Sequence, residues 1–268
     1  MAVNNSKIYS VVGAGVLLLA ASCQKVINVN LNSSAPQYVV EGNVTDQPGP
    51  YMVKLTRSVN FDQDNVFPAV SGAKVIITDT TAGLRDSLIE VTPGIYQTQM
   101  LTGVSGHTYN LYINYQGKVL TAQSTMPQPV LLDSMQVRPQ GFRGNSLAAV
   151  PYYFDPVAKG NFYHFVMTVN DTVSTAIYVR NDQLVNGQLI QQPLSGGDGG
   201  VTIRHGDSLT VSMECIDSMV YQFYYTLRNS QNSNSATPTN PVSNIKGGQS
   251  LGYFSAHTVS ALSTQVPF

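Results

Sequence analysis

Apolar and polar residues alternate with a period of two along most of the chain from residue 37 to residue 126. Tyr109, Leu111 and Ile113, for example, are separated by Asn110 and Tyr112. Such alternation is typical of strands that bury one face, and Gly- and Pro-rich turns separate the runs. The pattern predicts strands at 37–46, 51–56, 73–78, 84–91, 94–99, 109–115 and 118–124. This number and spacing of short strands favour a β-sandwich of immunoglobulin-like or related topology.

The second half of the chain is also rich in strand patterns, but prolines separate it from the first half. The segment Met126-Pro127-Gln128-Pro129 cannot continue a central strand, because proline has no backbone N–H. Further runs predict strands at 131–138, 150–158, 162–170, 174–180, 201–204, 209–215, 251–256 and 259–262. We therefore predict a mainly β protein, with an N-terminal β-sandwich over residues 37–126 and a second β-rich domain over residues 127–268.

A single segment changes to the period of a helix. Its apolar residues recur on one helical face: Ile216, Val220, Phe223, Tyr224 and Leu227. This pattern predicts one helix near residues 218–229, with Asp217 or Ser218 as its N-cap. We expect its apolar face to cover the second sheet on the side that Leu209, Val211 and Met213 leave apolar. Three long loops, 139–147, 181–200 and 231–249, are either functional or merely mobile.

The first 22 residues have the anatomy of a secretory signal. Lys7 precedes an apolar stretch over residues 8–21, which is shorter than the roughly 20 apolar residues that span a bilayer. Small residues then lead to Cys23, as in a bacterial lipobox, although Leu19 lies four positions before the cysteine instead of three. We predict a lipoprotein signal peptide at 1–22, lipidation of Cys23 and a polar tether at 23–36. The alternative is an ordinary signal peptide that happens to end near a cysteine.

Charge and cysteine content exclude several function classes. The 268-residue chain has a formal net charge of −1 and only 11% charged residues, so it lacks the basic surface of a nucleic-acid-binding protein. Lipidation of Cys23 leaves Cys215 without a disulfide partner in the chain. Cys215 shares its strand parity with apolar neighbours, which predicts a buried, inert thiol rather than a nucleophile.

One stretch matches a hydrolase motif, but its surroundings do not fit. Residues 248–252, GQSLG, have the G-x-S-x-G pattern, which requires a strand-to-helix turn and then an acid before a histidine. A polar loop precedes Ser250, a predicted strand follows it, and His257 lies downstream, but no Asp or Glu follows Ser250 in the sequence. A chance match is the better interpretation, and we predict no catalytic residue.

Metal and sugar sites are not indicated either. The four histidines, His107, His164, His205 and His257, have no zinc-ligand spacing. The segments 62–65 (Asp62, Asp64, Asn65) and 198–200 (Asp198) do not complete a calcium loop. Residues 152–154, YYF, fit either an aromatic sugar platform or, as we favour, a strand with one aromatic face in the core. The sequence thus predicts neither a metal nor a cofactor.

Several motifs in a fixed order resemble a known family. They are the lipobox before Cys23 and the segments 38–46 (YVVEGNVTD), 48–51 (PGPY), 94–96 (GIY), 124–127 (STMP) and 251–256 (LGYFSA). Together they are similar to the DUF4249 family of Bacteroidota outer-membrane lipoproteins, over almost the whole chain. The resemblance implies lipid anchoring, frequent association with a TonB-dependent receptor and no established catalytic activity. It also implies that the first domain is an Ig-like or carboxypeptidase-regulatory-like sandwich.

The residues after Cys23 leave the orientation at the membrane open. Surface-exported lipoproteins of that phylum tend to carry acidic residues there, whereas this chain has Gln24, Lys25, Asn28 and Asn30. We expect a non-catalytic, lipid-anchored outer-membrane protein, facing either the cell surface or the periplasm. It would be accessory to a TonB-dependent receptor by binding the receptor or its substrate. The alternatives are a structural or adhesive surface lipoprotein without a receptor partner and, with the least support, a serine hydrolase.

Overall fold

The computed structural model describes residues 35–60, 63–64, 66–140, 146–194, 200–232 and 240–267. Residues from Pro36 onward form one compact unit. The strands are β1 (Tyr38–Thr45), β2 (Met52–Arg57), β3 (Lys74–Asp79), β4 (Leu84–Ser87), β5 (Ile89–Thr92), β6 (Ile95–Gln97), β7 (Thr108–Tyr115), β8 (Lys118–Thr125), β9 (Ser134–Gln140), β10 (Ser146–Phe154), β11 (Phe162–Val169), β12 (Thr172–Val173), β13 (Tyr178–Asn181), β14 (Leu189–Gln191), β15 (Ser208–Ile216) and β16 (Ser250–Gln265). The one helix of the described residues is α1 (Ser218–Asn232). The predicted mainly β class and the helix near 218–229 are confirmed.

The N-terminal half folds into a β-sandwich. β1, β2, β6 and β5 lie side by side in one sheet, and β4, β3, β7 and β8 form a second, four-stranded sheet. Val40 and Leu55 from the first sheet share one core with Ile77, Leu111 and Ile113 from the second. Since alternate residues of a strand point to the same face, the period-two pattern of the sequence supplies this core directly.

The C-terminal half builds a second sandwich in the same way. β12, β13, β11 and β15 form one layer, and the three-stranded sheet β14-β10-β9 forms the other. Phe165 and Val211 from the first layer pack in a common core with Ala149, Tyr153 and Ile190 from the second.

β16 belongs to both sandwiches. Its first half, from Ser250 to His257, pairs parallel with β1, and its second half pairs antiparallel with β15. The resulting nine-stranded sheet, here called the shared sheet, has the order β12-β11-β15-β16-β1-β2-β6-β5, with β13 also paired to β11. At Gly252, φ is +94° and a Cβ would lie 1.9 Å from the carbonyl oxygen of Val40. Because β16 approaches β1 so closely here, the position requires glycine.

α1 lies on the shared sheet, against β16, β11 and β13. Asp217 caps it, since its Oδ1 accepts a hydrogen bond of 2.9 Å from the backbone N–H of Val220. Val220 and Tyr221 pack on Ile216 and Val179 in a third, smaller apolar cluster. Among the described residues, α1 included, no helix combines the length and apolar character needed to cross a bilayer.

The predicted partner of the helix was wrong. Leu209, Val211 and Met213 point into the second core instead of toward α1. They are already covered by the β14-β10-β9 sheet, so the helix covers the opposite face of the shared sheet, where β15 carries Glu214.

Several predicted strand limits also differ. The predicted strand 84–91 divides at Leu88 into β4, which pairs with β3, and β5, which pairs with β6 in the other sheet. Buried Asp86 fixes this crossing, because its Oδ2 accepts hydrogen bonds from the backbone N–H groups of residues 99–101 at 2.8–2.9 Å. Segments 251–256 and 259–262 are one strand, and 201–204 is not a strand. Of the predicted strand 174–180, only residues 178–180 are in a strand, β13. The domain boundary between residues 126 and 127 stays a prediction, and β16 contributes to the core on each side of it.

Candidate functional site

Three strands bring a carboxylate and two histidines together beneath α1. The register of the shared sheet places His164 of β11 opposite Glu214 of β15, on the face that points away from the second core. Nδ1 of His164 lies 2.7 Å from Oε2 of Glu214, and Nε2 of His257 on β16 lies 3.8 Å from Oε1. His164, Glu214 and His257 are here called the histidine–glutamate cluster.

Burial and mutual contact shift the pKa values in this cluster. Burial by itself would raise the pKa of Glu214, but His257 and His164 outweigh it and hold that pKa below its ordinary value. Burial lowers the pKa of His257; Glu214 and Asp46 oppose this shift, and His164 adds to it. The fold therefore keeps an ionised carboxylate inside the protein, where its hydrogen-bond partner and its neighbours compensate for lost hydration.

Ser255 extends the histidine–glutamate cluster into a series with the residue types of a catalytic triad. Its Oγ lies 2.9 Å from Nδ1 of His257. Ser255 and His257 are, however, only 1% and 4% exposed. The 3.8 Å between His257 and Glu214 also exceeds hydrogen-bond length. A substrate would need an open path to the serine, so this geometry fits a packing role better than nucleophilic catalysis.

An aromatic layer lies next to the cluster. The ring of Tyr224 stacks on His164, with centroids 4.0 Å apart and planes 7° apart. Phe223 and Tyr253 complete the layer: their centroids are 4.9 Å from each other and 5.3 Å from that of Tyr224. Since two of these rings come from α1 and one from β16, the docking of the helix holds the layer in place.

A pocket of about 440 Å³ opens beside this layer, between α1, β1 and β16. Its lining is mostly apolar or aromatic and consists of Val39, Glu41, Phe223, Tyr224, Leu227, Pro241, Leu251, Gly252 and Tyr253. This cavity is here called the helix–sheet pocket. Its size and lining match small-molecule sites, which are concave, mostly apolar and about 300–1,000 Å³ in volume.

Glu41 is the charged residue of the helix–sheet pocket. Its Oε1 accepts a hydrogen bond of 3.1 Å from Nζ of Lys54, which lies directly opposite Glu41 on the neighbouring strand β2. Both side chains of this pair are nearly half exposed, at 44% and 46%. The pocket therefore combines aromatic walls with one carboxylate that water and a ligand can both reach.

A second concavity, of about 490 Å³, lies beside β6. Its walls come from Gly49, Pro50, Ile89 and residues 97–102, which include neither an aromatic nor a charged side chain. It therefore offers fewer specific contacts to a ligand than the helix–sheet pocket does.

The predicted lipidation and calcium positions lie largely outside the described residues. Cys23 and residues 1–34 are not described, and neither are Asp62, Asn65 and Asp198. Asp64 is exposed. Within the described part of the chain, no group of three His, Cys, Asp or Glu side chains is arranged to hold a metal ion.

The structure separates Ser250 of the G-x-S-x-G motif from the downstream His257. Ser250 begins β16 opposite Tyr38, and His257 lies opposite Thr45 at the far end of β1. Seven residues of extended strand place them roughly 23 Å apart. The G-x-S-x-G match therefore does not assemble a nucleophile and a base.

The other singled-out residues occupy the second sandwich. Tyr153 is buried in its core, whereas Phe154 is 57% exposed and Tyr152 lies against Arg138, which agrees with the interpretation as an ordinary strand. Cys215 is buried in the same core, as predicted, and burial raises the pKa of its thiol.

Sequence reasoning missed the histidine–glutamate cluster and the helix–sheet pocket. His164 and Glu214 lie at the more polar parity of their strands, which was the available signal, whereas His257 shares its parity with Leu251, Tyr253 and Val259. Parity alone predicts a solvated face, however, and only the strand register and the position of α1 bring the three residues together.

Comparison with protein families gives a match over most of the chain. The model of a family described as "Domain of unknown function (DUF4249)" matches residues 24–263. No curated protein matches the chain.

Proposed function

The chain belongs to the DUF4249 family, and from that premise we propose that it is a non-catalytic, lipid-anchored protein of the outer membrane. It acts as an accessory to a TonB-dependent receptor, either by contacting the receptor or by capturing its substrate. The observation that carries this proposal is the apolar segment at 8–21, which ends in small residues and Cys23. Triacylation of that cysteine supplies more than one lipid chain, which is enough for stable anchoring.

The fold of the described residues is compatible with a role in ligand binding rather than in catalysis. Its Ser-His-Glu series is buried, and Ser250 lies far from His257 along β16. The helix–sheet pocket, in contrast, is open and lined by residues that suit a ligand. A lipid-tethered β protein with an open pocket fits the capture of a compound near a membrane receptor.

Lipidation is tested by Cys23→Ser in the full-length chain. The wild-type protein should incorporate a labelled fatty acid and sediment with the outer membrane. The Cys23→Ser variant should remain an unprocessed precursor or become soluble, because no thiol is available to accept diacylglycerol. Cys215→Ser is the matched control and should behave as wild type. A lipid-labelled, membrane-bound Cys23→Ser protein would refute the anchor.

The receptor association needs its own experiment. Affinity purification of the tagged protein from native membranes should recover a TonB-dependent receptor, and the Cys23→Ser variant should recover less of it. Anchored protein that purifies repeatedly without any receptor would instead favour the structural or adhesive role.

A further inference from the structure

The geometry points to the helix–sheet pocket as a binding site for an organic cation, namely an ammonium group attached to an aromatic or aliphatic body. The 440 Å³ cavity accommodates the apolar body between Leu227 and Leu251. The ammonium group lies within reach of Glu41 and the aromatic rings. This assignment does not rest on lipidation or on a receptor.

The charge of the pocket lining favours a positively charged ligand. Glu41 is the charged side chain among the nine lining residues, and it is negative. Tyr224 and Tyr253 add hydroxyl groups, and burial raises the pKa of each of them, as do Glu41 and Glu214. The tyrosines therefore stay neutral and contribute no competing charge. An anion would meet repulsion from Glu41, which the exposed ion pair with Lys54 offsets only in part.

The aromatic rings favour a cation over a neutral ligand of the same shape. Phe223, Tyr224 and Tyr253 lie within 4.9–5.3 Å of one another and all line the pocket. An ammonium group near the face of such a ring is attracted by the ring quadrupole, and the attraction grows when water is excluded. Aromatic side chains combined with a carboxylate are therefore suited to substituted ammonium groups.

Lys54 acts as an internal competitor for Glu41. Its Nζ donates a hydrogen bond of 3.1 Å to Oε1 of Glu41, but nearly half of each side chain is exposed. An ion pair so exposed is weak, typically about 0.2–1 kcal/mol in proteins. A ligand cation can therefore displace Lys54 or share the carboxylate with it, and removal of Lys54 should strengthen cation binding.

Three probes with one apolar body and different head groups test the assignment. They are 4-tert-butylbenzylamine, which is cationic at pH 7, neutral 4-tert-butylbenzyl alcohol and anionic 4-tert-butylbenzoate. Equilibrium dialysis against the full-length protein gives each Kd, in phospholipid nanodiscs if the protein is membrane-bound and in buffer if it is not, with the protein-free medium as the blank. The amine should bind about tenfold more tightly than the alcohol, and the benzoate should bind most weakly.

Two charge variants test the role of Glu41. Glu41→Gln should weaken amine binding about threefold and leave alcohol binding unchanged, since a half-exposed ionic contact is lost. Lys54→Gln should strengthen amine binding by a similar factor. Equal affinities for the amine and the alcohol, or a Glu41→Gln variant with unchanged amine affinity, would overturn the assignment.

A size variant tests the location. Leu227→Trp fills the pocket and should abolish binding of the amine and the alcohol, while Gln222→Trp on the exposed face of α1 should not. Thermal unfolding of both variants shows whether they are folded. Binding that survives in a folded Leu227→Trp protein would place the site elsewhere. None of these results depends on Cys23, so they stand or fall separately from the anchor and the receptor.

Discussion

Glu214 illustrates how one residue changes its environment when a helix docks. It lies between Met213 and Cys215 on β15, at the parity that normally faces solvent. α1 covers that face, and His164 then supplies a hydrogen bond at 2.7 Å. A buried carboxylate without partners would cost several kcal/mol. The two histidines of the histidine–glutamate cluster therefore make burial of Glu214 tolerable.

Acid should destabilise the protein through His257. Its pKa in the folded state is below the ordinary value of 6.5. As the pH falls, His257 therefore binds a proton at a higher pH in the unfolded chain than in the folded one, which favours unfolding. The contribution of His257 to stability is thus complete above pH 6.5 and is lost as the pH falls toward the lowered pKa. The pKa of Glu214 is also lowered, from 4.5, so protonation of this carboxylate causes a second loss of stability at still lower pH.

Chemical denaturation between pH 7.5 and pH 5 measures the effect of His257. His257→Gln should reduce stability at pH 7.5 but flatten its decline toward pH 5, because the group that titrates is gone. His205→Gln changes an exposed histidine and should keep the wild-type slope. Parallel slopes for wild type and His257→Gln would contradict the prediction.

Cys215 should react slowly with polar thiol reagents. It is 3% exposed, and burial raises the pKa of its thiol, so little thiolate is present and access is blocked. In a Cys23→Ser background it is the only thiol of the chain. Labelling by dithiobis(nitrobenzoate) should be on the order of a thousandfold slower in native buffer than in denaturant. Comparable rates in the two conditions would show that the thiol is accessible.

At the scale of elements, the sequence predicted α1 but not the surface that it covers. The helical period and the Asp217 cap are local features, and both appear in the structure. The face it packs on depends on whether another layer already covers Leu209 and Val211. That layer, β14-β10-β9, includes β14, which the sequence placed within a long loop. Local patterns therefore predicted elements, and competition between layers decided their contacts.

Phe223→Ala should destabilise the fold by about 3 kcal/mol. Truncation of a buried Phe costs about 3–5 kcal/mol, and this ring borders an open pocket, which favours the lower value. Gln222→Ala, on the exposed face of the same helix, should change the free energy of unfolding by less than about 0.5 kcal/mol. Denaturant melts of the two variants compare them directly. If both are as stable as wild type, α1 does not contribute to the core.

At the scale of the whole molecule, the limits of prediction come from strand order. Alternation located most strands and assigned residues such as Leu111 and Ile113 to a core face, where the structure has them. The pairing of β16 with β1 links residues more than 200 positions apart, and no local pattern carries that information. The same pairing creates the helix–sheet pocket, since Glu41 and Tyr253 are register partners on β1 and β16. The elements were thus predictable, and the site, which depends on long-range pairing, was not.

The two sandwiches should unfold together, because β16 runs through both cores. Gly252 lies on this strand, and an alanine there would require φ of +94° and place its Cβ 1.9 Å from the carbonyl oxygen of Val40. The left-handed backbone costs about 1–2 kcal/mol and overpacking about 1–3 kcal/mol, so Gly252→Ala should cost about 3 kcal/mol or more.

Gly83→Ala is the matched control for this substitution. Gly83 also has a positive φ, +71°, but nothing lies within 4 Å of its would-be Cβ, so only the backbone cost of about 1 kcal/mol applies. Calorimetry should give one transition for the wild type, with equal calorimetric and van't Hoff enthalpies. In Gly252→Ala the whole transition should move to lower temperature, and in Gly83→Ala it should move less. Two separate transitions, of which Gly252→Ala lowers only one, would show that the halves on either side of residues 126 and 127 are independent domains. In that case the continuity of β16 does not couple them.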